Sequence, residues 1–187
     1  MVGRAFVRIG CLVAIAAAFP SGARAADELE SQAQACSGCH GPNGTPINAA
    51  TPNIWGQRGD YLYKQLHDFK SGDRASPIMS FIVKDMSLQD LRKLANYFAA
   101  KTWSPPRSAD AAVAAPDGIA MCAACHQKNF AGGPPAPRLA GLTYEYLAST
   151  MSNFASGERA NNLDMPGFMR SLTDSQRDAI AKYLAGL

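Results

Sequence analysis

The chain has 187 residues, 47% of them hydrophobic and 18% charged; that balance suits one or two globular domains and excludes a disordered chain. Its formal charge of +3 comes from 18 Lys and Arg against 15 Asp and Glu. Arg4, Arg8 and Arg24 lie in the first 25 residues, so the rest is balanced at 15 against 15 and carries no basic footprint for nucleic acid.

Residues 1–25 read as a secretory leader. Arg4 and Arg8 precede the apolar run 11–19, which Pro20, Ser21 and Gly22 break. Ala23-Arg24-Ala25 then offers a small-x-small cleavage site before Ala26. The run is about half the roughly 20 residues needed to span a bilayer, and Cys11 opens it instead of ending it, which argues against a lipid anchor. No later segment is long and apolar enough to span. The leader predicts export, with the periplasm as destination.

Residues 26–35 predict a short helix leading into Cys36-Ser37-Gly38-Cys39-His40. Residues 41–55 are rich in Gly, Pro and Asn and predict an irregular loop. A second helix is expected from Asp60, with Asp60 as N-cap, Tyr61, Leu62, Leu66 and Phe69 on one face, and Gly72 as terminator. Met79 falls in the loop that follows. Ser87 then caps a helix carrying Leu88, Leu91, Leu94, Ala95 and Phe98.

After a stretch with Pro105 and Pro106, the order recurs. Cys122-Ala123-Ala124-Cys125-His126 leads into an irregular segment at 127–138. A helix capped by Thr143 carries Tyr146, Leu147, Met151 and Phe154; Met165 follows, and a last helix capped by Thr173 carries Ile180, Tyr183 and Leu184. No period-two strand pattern appears.

The recurrence is a duplication. The pentapeptides are 86 residues apart, as are Met79 and Met165. Pro52, Gly56, Tyr61, Leu62, Phe69, Gly72 and Arg74 recur 85 residues on, as Pro137, Gly141, Tyr146, Leu147, Phe154, Gly157 and Arg159. Two copies of one small all-α domain follow: 26–103 and 110–187, joined by a linker at 104–109. A domain under about 80 residues rarely stands on its apolar core alone and calls for a staple.

Cys-x-x-Cys-His is the attachment signature of c-type haem. Two thiols one helical turn apart can each form a thioether with a haem vinyl group, and the next His then reaches the iron. Cys36, Cys39, Cys122 and Cys125 are therefore the expected tethers of two covalent haem c groups, with His40 and His126 as proximal ligands. A thioredoxin-like pair calls for a βαβ context that is missing. Zinc shared by two pairs so far apart suits two copied domains poorly.

Three histidines are present and two are spent, so bis-His ligation at both irons is excluded. Methionine is the other common sixth ligand and raises the potential. Met79 and Met165 keep the register of the pentapeptides, with Met86 and above all Met169 as rivals. Met121 and Met151 read as core. His67 reads as a surface histidine. Pro52 and Pro137 follow their histidines by 12 and 11 residues; each is placed to offer a carbonyl to the proximal imidazole N–H. Lys64, Lys70 and Lys84 read as solvated surface or as steering charges for a partner.

These motifs, with the Tyr-Leu helix, the Phe-x-Ser-Gly ending and the final Tyr helix, resemble the cytochrome c4 family of tandem class I cytochrome c domains along essentially the whole chain after the leader. The resemblance implies that Met79 and Met165 are the sixth ligands. It also implies a carrier that passes electrons toward terminal oxidases and associates with a membrane at most peripherally. The stretch from Phe69 to Met79, with Tyr97, Phe98, Thr102 and Trp103, also resembles the di-haem subunit of flavocytochrome c sulfide dehydrogenase, which implies a flavoprotein donor. With both irons capped by sulfur no position is open for a substrate, so a carrier is expected and not an enzyme. A freestanding carrier and a dehydrogenase subunit both remain open, as do an oxidase, a cytochrome complex and a flavoprotein as partners.

Overall fold

The computed structural model describes residues 21–102 and 114–187. The expected leader up to residue 20 and the linker at 104–109 lie outside them. The elements are α1 (Ser21–His40), α2 (Gly59–Ser71), α3 (Pro77–Val83), α4 (Leu88–Ala99), α5 (Ile119–His126), α6 (Tyr144–Ser156), α7 (Met165–Ser171) and α8 (Asp174–Ala185), with a 3-10 turn at Lys128–Phe130. Among the described residues there is no strand, only an isolated bridge between Gly133 and Ala136.

Helix α1 does not stop at Ala35 but runs through the first pentapeptide. Its apolar stripe explains this: Leu29, Ala33 and Cys36 lie at i, i+4 and i+7 and pack with Leu94, Ala95 and Phe98 of α4. The Tyr97 hydroxyl adds a 2.9 Å bond to the Glu30 carboxylate.

Asp60 is not the cap of α2. Arg58 holds that position in an extended conformation, and Asp60 sits in the first turn, where its carboxylate favours the positive helix end and accepts 2.9 Å bonds from Arg58 and from the Tyr61 N–H. Gly72 closes the helix in the left-handed region at φ 90°.

The segments around Met79 and Met165, expected as loops, are short helices. Ser76 accepts the Met79 N–H at 3.3 Å and Pro77 occupies the first turn of α3; Pro166 does the same for α7. A proline there loses no helical bond and arrives with the right φ. Ser87 with Asp90 and Thr173 with Gln176 form capping boxes on α4 and α8. Thr143 stands at the N-cap of α6, but its side chain caps nothing and donates to the Ala49 carbonyl in the other half.

The core divides with the duplication. In the first half α2 packs on α3 and α4, and in the second α6 packs on α7 and α8. Leu91, Leu94 and Val83 are fully buried in one, Ile180 and Leu184 in the other, and among the described residues no core cluster mixes the two. Matching glycines tie the irregular loops to the last helices: Gly56 N–H donates to Phe98 at 3.0 Å and Gly141 N–H to Leu184 at 3.3 Å.

The halves meet through a crossed polar contact. The Arg159 guanidinium donates to the Tyr61 hydroxyl at 3.2 Å, and that of Arg74 to the Tyr146 hydroxyl at 3.4 Å. Both guanidiniums reach the Gln65 amide oxygen, at 2.9 and 2.7 Å. Tyr61 and Tyr146, like Arg74 and Arg159, are matching residues of the two copies, so each half gives its arginine to the other's tyrosine. Arg159 is 7% exposed, and removing it strands buried partners. Arg159→Met should cost about 2–4 kcal/mol and separate the melting of the two halves. Calorimetry showing one unchanged transition would contradict this role for the contact.

Candidate haem-attachment sites

Each pentapeptide lies at the end of a helix, α1 or α5. Helical winding puts the two thiols one turn apart on the same side. Cys36 and Cys122 are half-buried, Cys39 and Cys125 are exposed, and none of the four is in a disulfide. Burial pushes the Cys36 and Cys122 thiols up.

His40 and His126 are 9% and 6% exposed. The chain must turn back sharply after each. Gly41 does so at φ +88°, where a Cβ would stand 2.0 Å from the Thr45 oxygen; Gly132 does so at φ +85°, where a Cβ would stand 2.5 Å from the Arg138 nitrogen. No other residue fits these positions without movement. The returning loops bring a prolyl carbonyl to each ring: His40 Nδ1 lies 2.7 Å from the Pro52 oxygen and His126 Nδ1 lies 2.8 Å from the Pro137 oxygen. A carbonyl only accepts, so Nδ1 carries the proton and Nε2 keeps its lone pair. Burial holds both imidazoles below their usual pKa, against the opposing pull of the carbonyls. Both rings are thus neutral and oriented, the form a metal requires.

Met79 lies in the first turn of α3 and packs against Phe69, Val83 and Leu91. Met165 opens α7, its N–H held by the Asn162 side chain at 2.8 Å. Met169 is 4% exposed inside the second core, and Met86 packs between the two clusters of the first half. Met151 is buried as expected, but Met121, expected in the core, is 45% exposed. It lies on α5, whose buried residues are Ile119 and His126. His67 is half-exposed, 3.8 Å from the Asp68 carboxylate. The three lysines are engaged within the molecule: Lys64 with Asp68 and, across to the second half, the Asn161 carbonyl, Lys70 with the Lys84 carbonyl, and Lys84 with Asp85.

Three residues escape sequence reasoning. Asn53 Nδ2, Trp55 Nε1 and Arg58 Nε are buried donors without a hydrogen-bond partner, all in the loop that carries Pro52. Such groups are rare in native proteins. A Trp, an Arg and an Asn in an irregular loop give no spacing signal. Ile78, Phe81 and Ile82 on α3 and Leu163 and Phe168 around α7 are exposed apolar residues beside the two methionines. Unpaired thiols, oriented imidazoles, orphaned donors suited to carboxylates and uncovered apolar walls all fit a flat, mostly apolar cofactor with acidic substituents. The donor set fits haem c.

Two helical units built to one plan, each ending a helix in a Cys-x-x-Cys-His motif, define a tandem class I cytochrome c fold. A cytochrome c family model matches residues 119–187. Cytochrome c4 of Pseudomonas aeruginosa is 32% identical over 180 residues, covering 87% of this chain and 90% of its own. The thiosulfate dehydrogenase electron acceptor of Stutzerimonas stutzeri is 31% identical over 173 residues, covering 83% and 80%. The crystal structure of reduced recombinant cytochrome c4 from Pseudomonas stutzeri superposes with a TM-score of 0.76 at 28% identity, covering 87% of this chain and 98% of its own. The chain belongs to the cytochrome c4 family. It is a di-haem c-type cytochrome of electron transfer, with two covalently bound haem c groups.

Replacing both Cys36 and Cys39 by Ala should leave a polypeptide carrying one haem by intact-mass analysis. Two retained haems would refute the tethering sites.

Proposed function

We propose that the chain works in the periplasm as a carrier of single electrons between redox proteins, with each iron held between a histidine and a methionine: His40 and Met79 in the first half, His126 and Met165 in the second. The observation that carries this reading is the repeated pairing of a buried, Nδ1-protonated imidazole with a prolyl carbonyl. It aims one unprotonated nitrogen per half at the place where the tether holds the cofactor. When bound, haem c supplies the one-electron iron couple. The chain's residues do the rest. Cys36, Cys39, Cys122 and Cys125 hold the cofactor against loss. Pro52 and Pro137 fix the rings and keep the proton at Nδ1. Met79 and Met165 close the far side, which denies a substrate its place, and the apolar residues of α3 and α7 exclude water. The burial of Met169 in the second core favours Met165 over its rival.

The division of the core supports two domains, which we place at 26–103 and 110–187. The leader at residues 1–25 supports export; α1 begins at Ser21, so cleavage after Ala25 makes Ala26 the first residue of a helix already formed. Among the described residues no helix is long and apolar enough to cross a membrane. The partners in this reading are redox proteins: an oxidase, a cytochrome complex or a dehydrogenase. A second reading, an electron-accepting subunit for a dehydrogenase of sulfur compounds, is favoured by the likeness to the thiosulfate dehydrogenase electron acceptor.

Met79→Ala should retain both haems, lower one reduction potential and strip the methionine–iron charge-transfer band from one haem. Unchanged potentials for both would overturn the ligand assignment. Capture of partners from periplasm by the intact holoprotein separates the two readings: a dehydrogenase held stoichiometrically supports the subunit, transient oxidase contacts the freestanding carrier.

A further inference from the structure

Gln57 belongs to the first half and is 4% exposed, yet its side chain is spent mainly on the second. Its Oε1 accepts the Arg58 N–H at 3.0 Å and the Arg138 N–H at 2.8 Å. Its Nε2 donates to the Arg138 carbonyl at 2.9 Å. The amide orientation is settled by these partners, because a flipped amide would set donors against donors.

The Arg138 N–H and the Pro137 carbonyl are the two ends of one peptide group. That carbonyl accepts the Nδ1 proton of His126 at 2.8 Å. A single peptide therefore takes a hydrogen bond from the proximal histidine of the second half and gives one to a side chain of the first. It has little room to turn. Gly132 backs it so closely that a Cβ would lie 2.5 Å from the Arg138 nitrogen, and the Arg138 guanidinium donates to the Trp55 carbonyl at 3.0 Å.

Hydrogen bonds in series polarise one another. An acceptor on the peptide N–H moves electron density toward the carbonyl oxygen, which then pulls harder on the imidazole proton. The ring becomes a more basic ligand, and a more basic ligand favours the oxidised metal. Hydrogen bonding behind the axial ligand is one of the few levers a protein has on a haem potential. The lever is one-sided here: with the shift of 85 the residue matching Gln57 is Leu142, which can neither donate nor accept. The duplicated halves are thus unequal at this point.

We propose that Gln57 is a positioning residue that acts across the interface: through the Pro137–Arg138 peptide it strengthens the hydrogen bond on His126 and lowers the potential of the haem in the second half, leaving the first untouched. The proposal rests on His126 being the proximal ligand of that haem.

The test uses the full-length holoprotein carrying Gln57→Met, which keeps the length without the amide, and Gln57→Glu, which keeps the acceptor oxygen and adds charge. Both potentials are followed by spectroelectrochemical titration, each haem assigned by paramagnetic NMR, and exchange of the Arg138 amide is followed by mass spectrometry. Gln57→Met should shift the second-half potential upward, leave the first in place and speed exchange at Arg138. Gln57→Glu should keep the amide protected and shift the same potential downward. If exchange speeds up while both potentials stay put, or if both potentials move together, Gln57 is a clamp between domains and the proposal falls. Should Gln57→Met fail to fold, Gln57→Glu decides alone: an unmoved or raised second-half potential overturns the proposal. Fewer than two haems on the parent protein would instead sink the ligand reading beneath it.

Discussion

In each half a buried imidazole gives its Nδ1 proton to a prolyl carbonyl at 2.7–2.8 Å. The bond places the ring, decides which nitrogen is left to bind metal, and requires the chain to double back within a dozen residues. The left-handed glycines Gly41 and Gly132 make that return possible. Matching glycine bonds to the last helices, from Gly56 and Gly141, anchor the far ends of the same loops. The helices carry the rest of the motif residues: α1 and α5 the cysteines, α3 and α7 Met79 and Met165.

Duplication gives two such units, and the interface turns them into one molecule. The crossed Arg–Tyr pairs use matching residues, as expected where two copies meet face to face. Gln57 breaks that symmetry, since its match is Leu142. A two-centre carrier benefits from unequal centres, because a difference in potential gives the electron a direction. A hydrogen bond on a peptide behind one ligand supplies such a difference without disturbing either first coordination sphere. The orphaned donors of Asn53, Trp55 and Arg58 lie in the same loop as Gln57.

Much of this was legible in the sequence because covalent chemistry imposes fixed spacing. The pentapeptides, the registered methionines and the capping residues Ser87 and Thr173 depend on local rules, and the all-α fold follows from helical periodicity. Helices α3 and α7 were hidden because each has seven residues, too few for a periodic pattern, although the proline at the start of each was a usable sign. Asp60 has the chemistry of a cap but sits within the first turn, since an extended Arg58 already turns the chain. Thr143 shows the converse: its hydroxyl is drawn to Ala49 across the interface. Met121 and Gln57 were beyond local rules altogether, because their surroundings depend on how distant segments meet.

The central claim is that both proximal rings are held by their Nδ1 protons. NMR of the reduced holoprotein, labelled with nitrogen-15 at histidine and carbon-13 at the proline carbonyls, tests it directly. Two Nδ1–H resonances, both slow to exchange with solvent and each coupled across its bond to a prolyl carbonyl carbon, are predicted. Rapid exchange of either proton, or a ring protonated at Nε2 instead, would contradict the account.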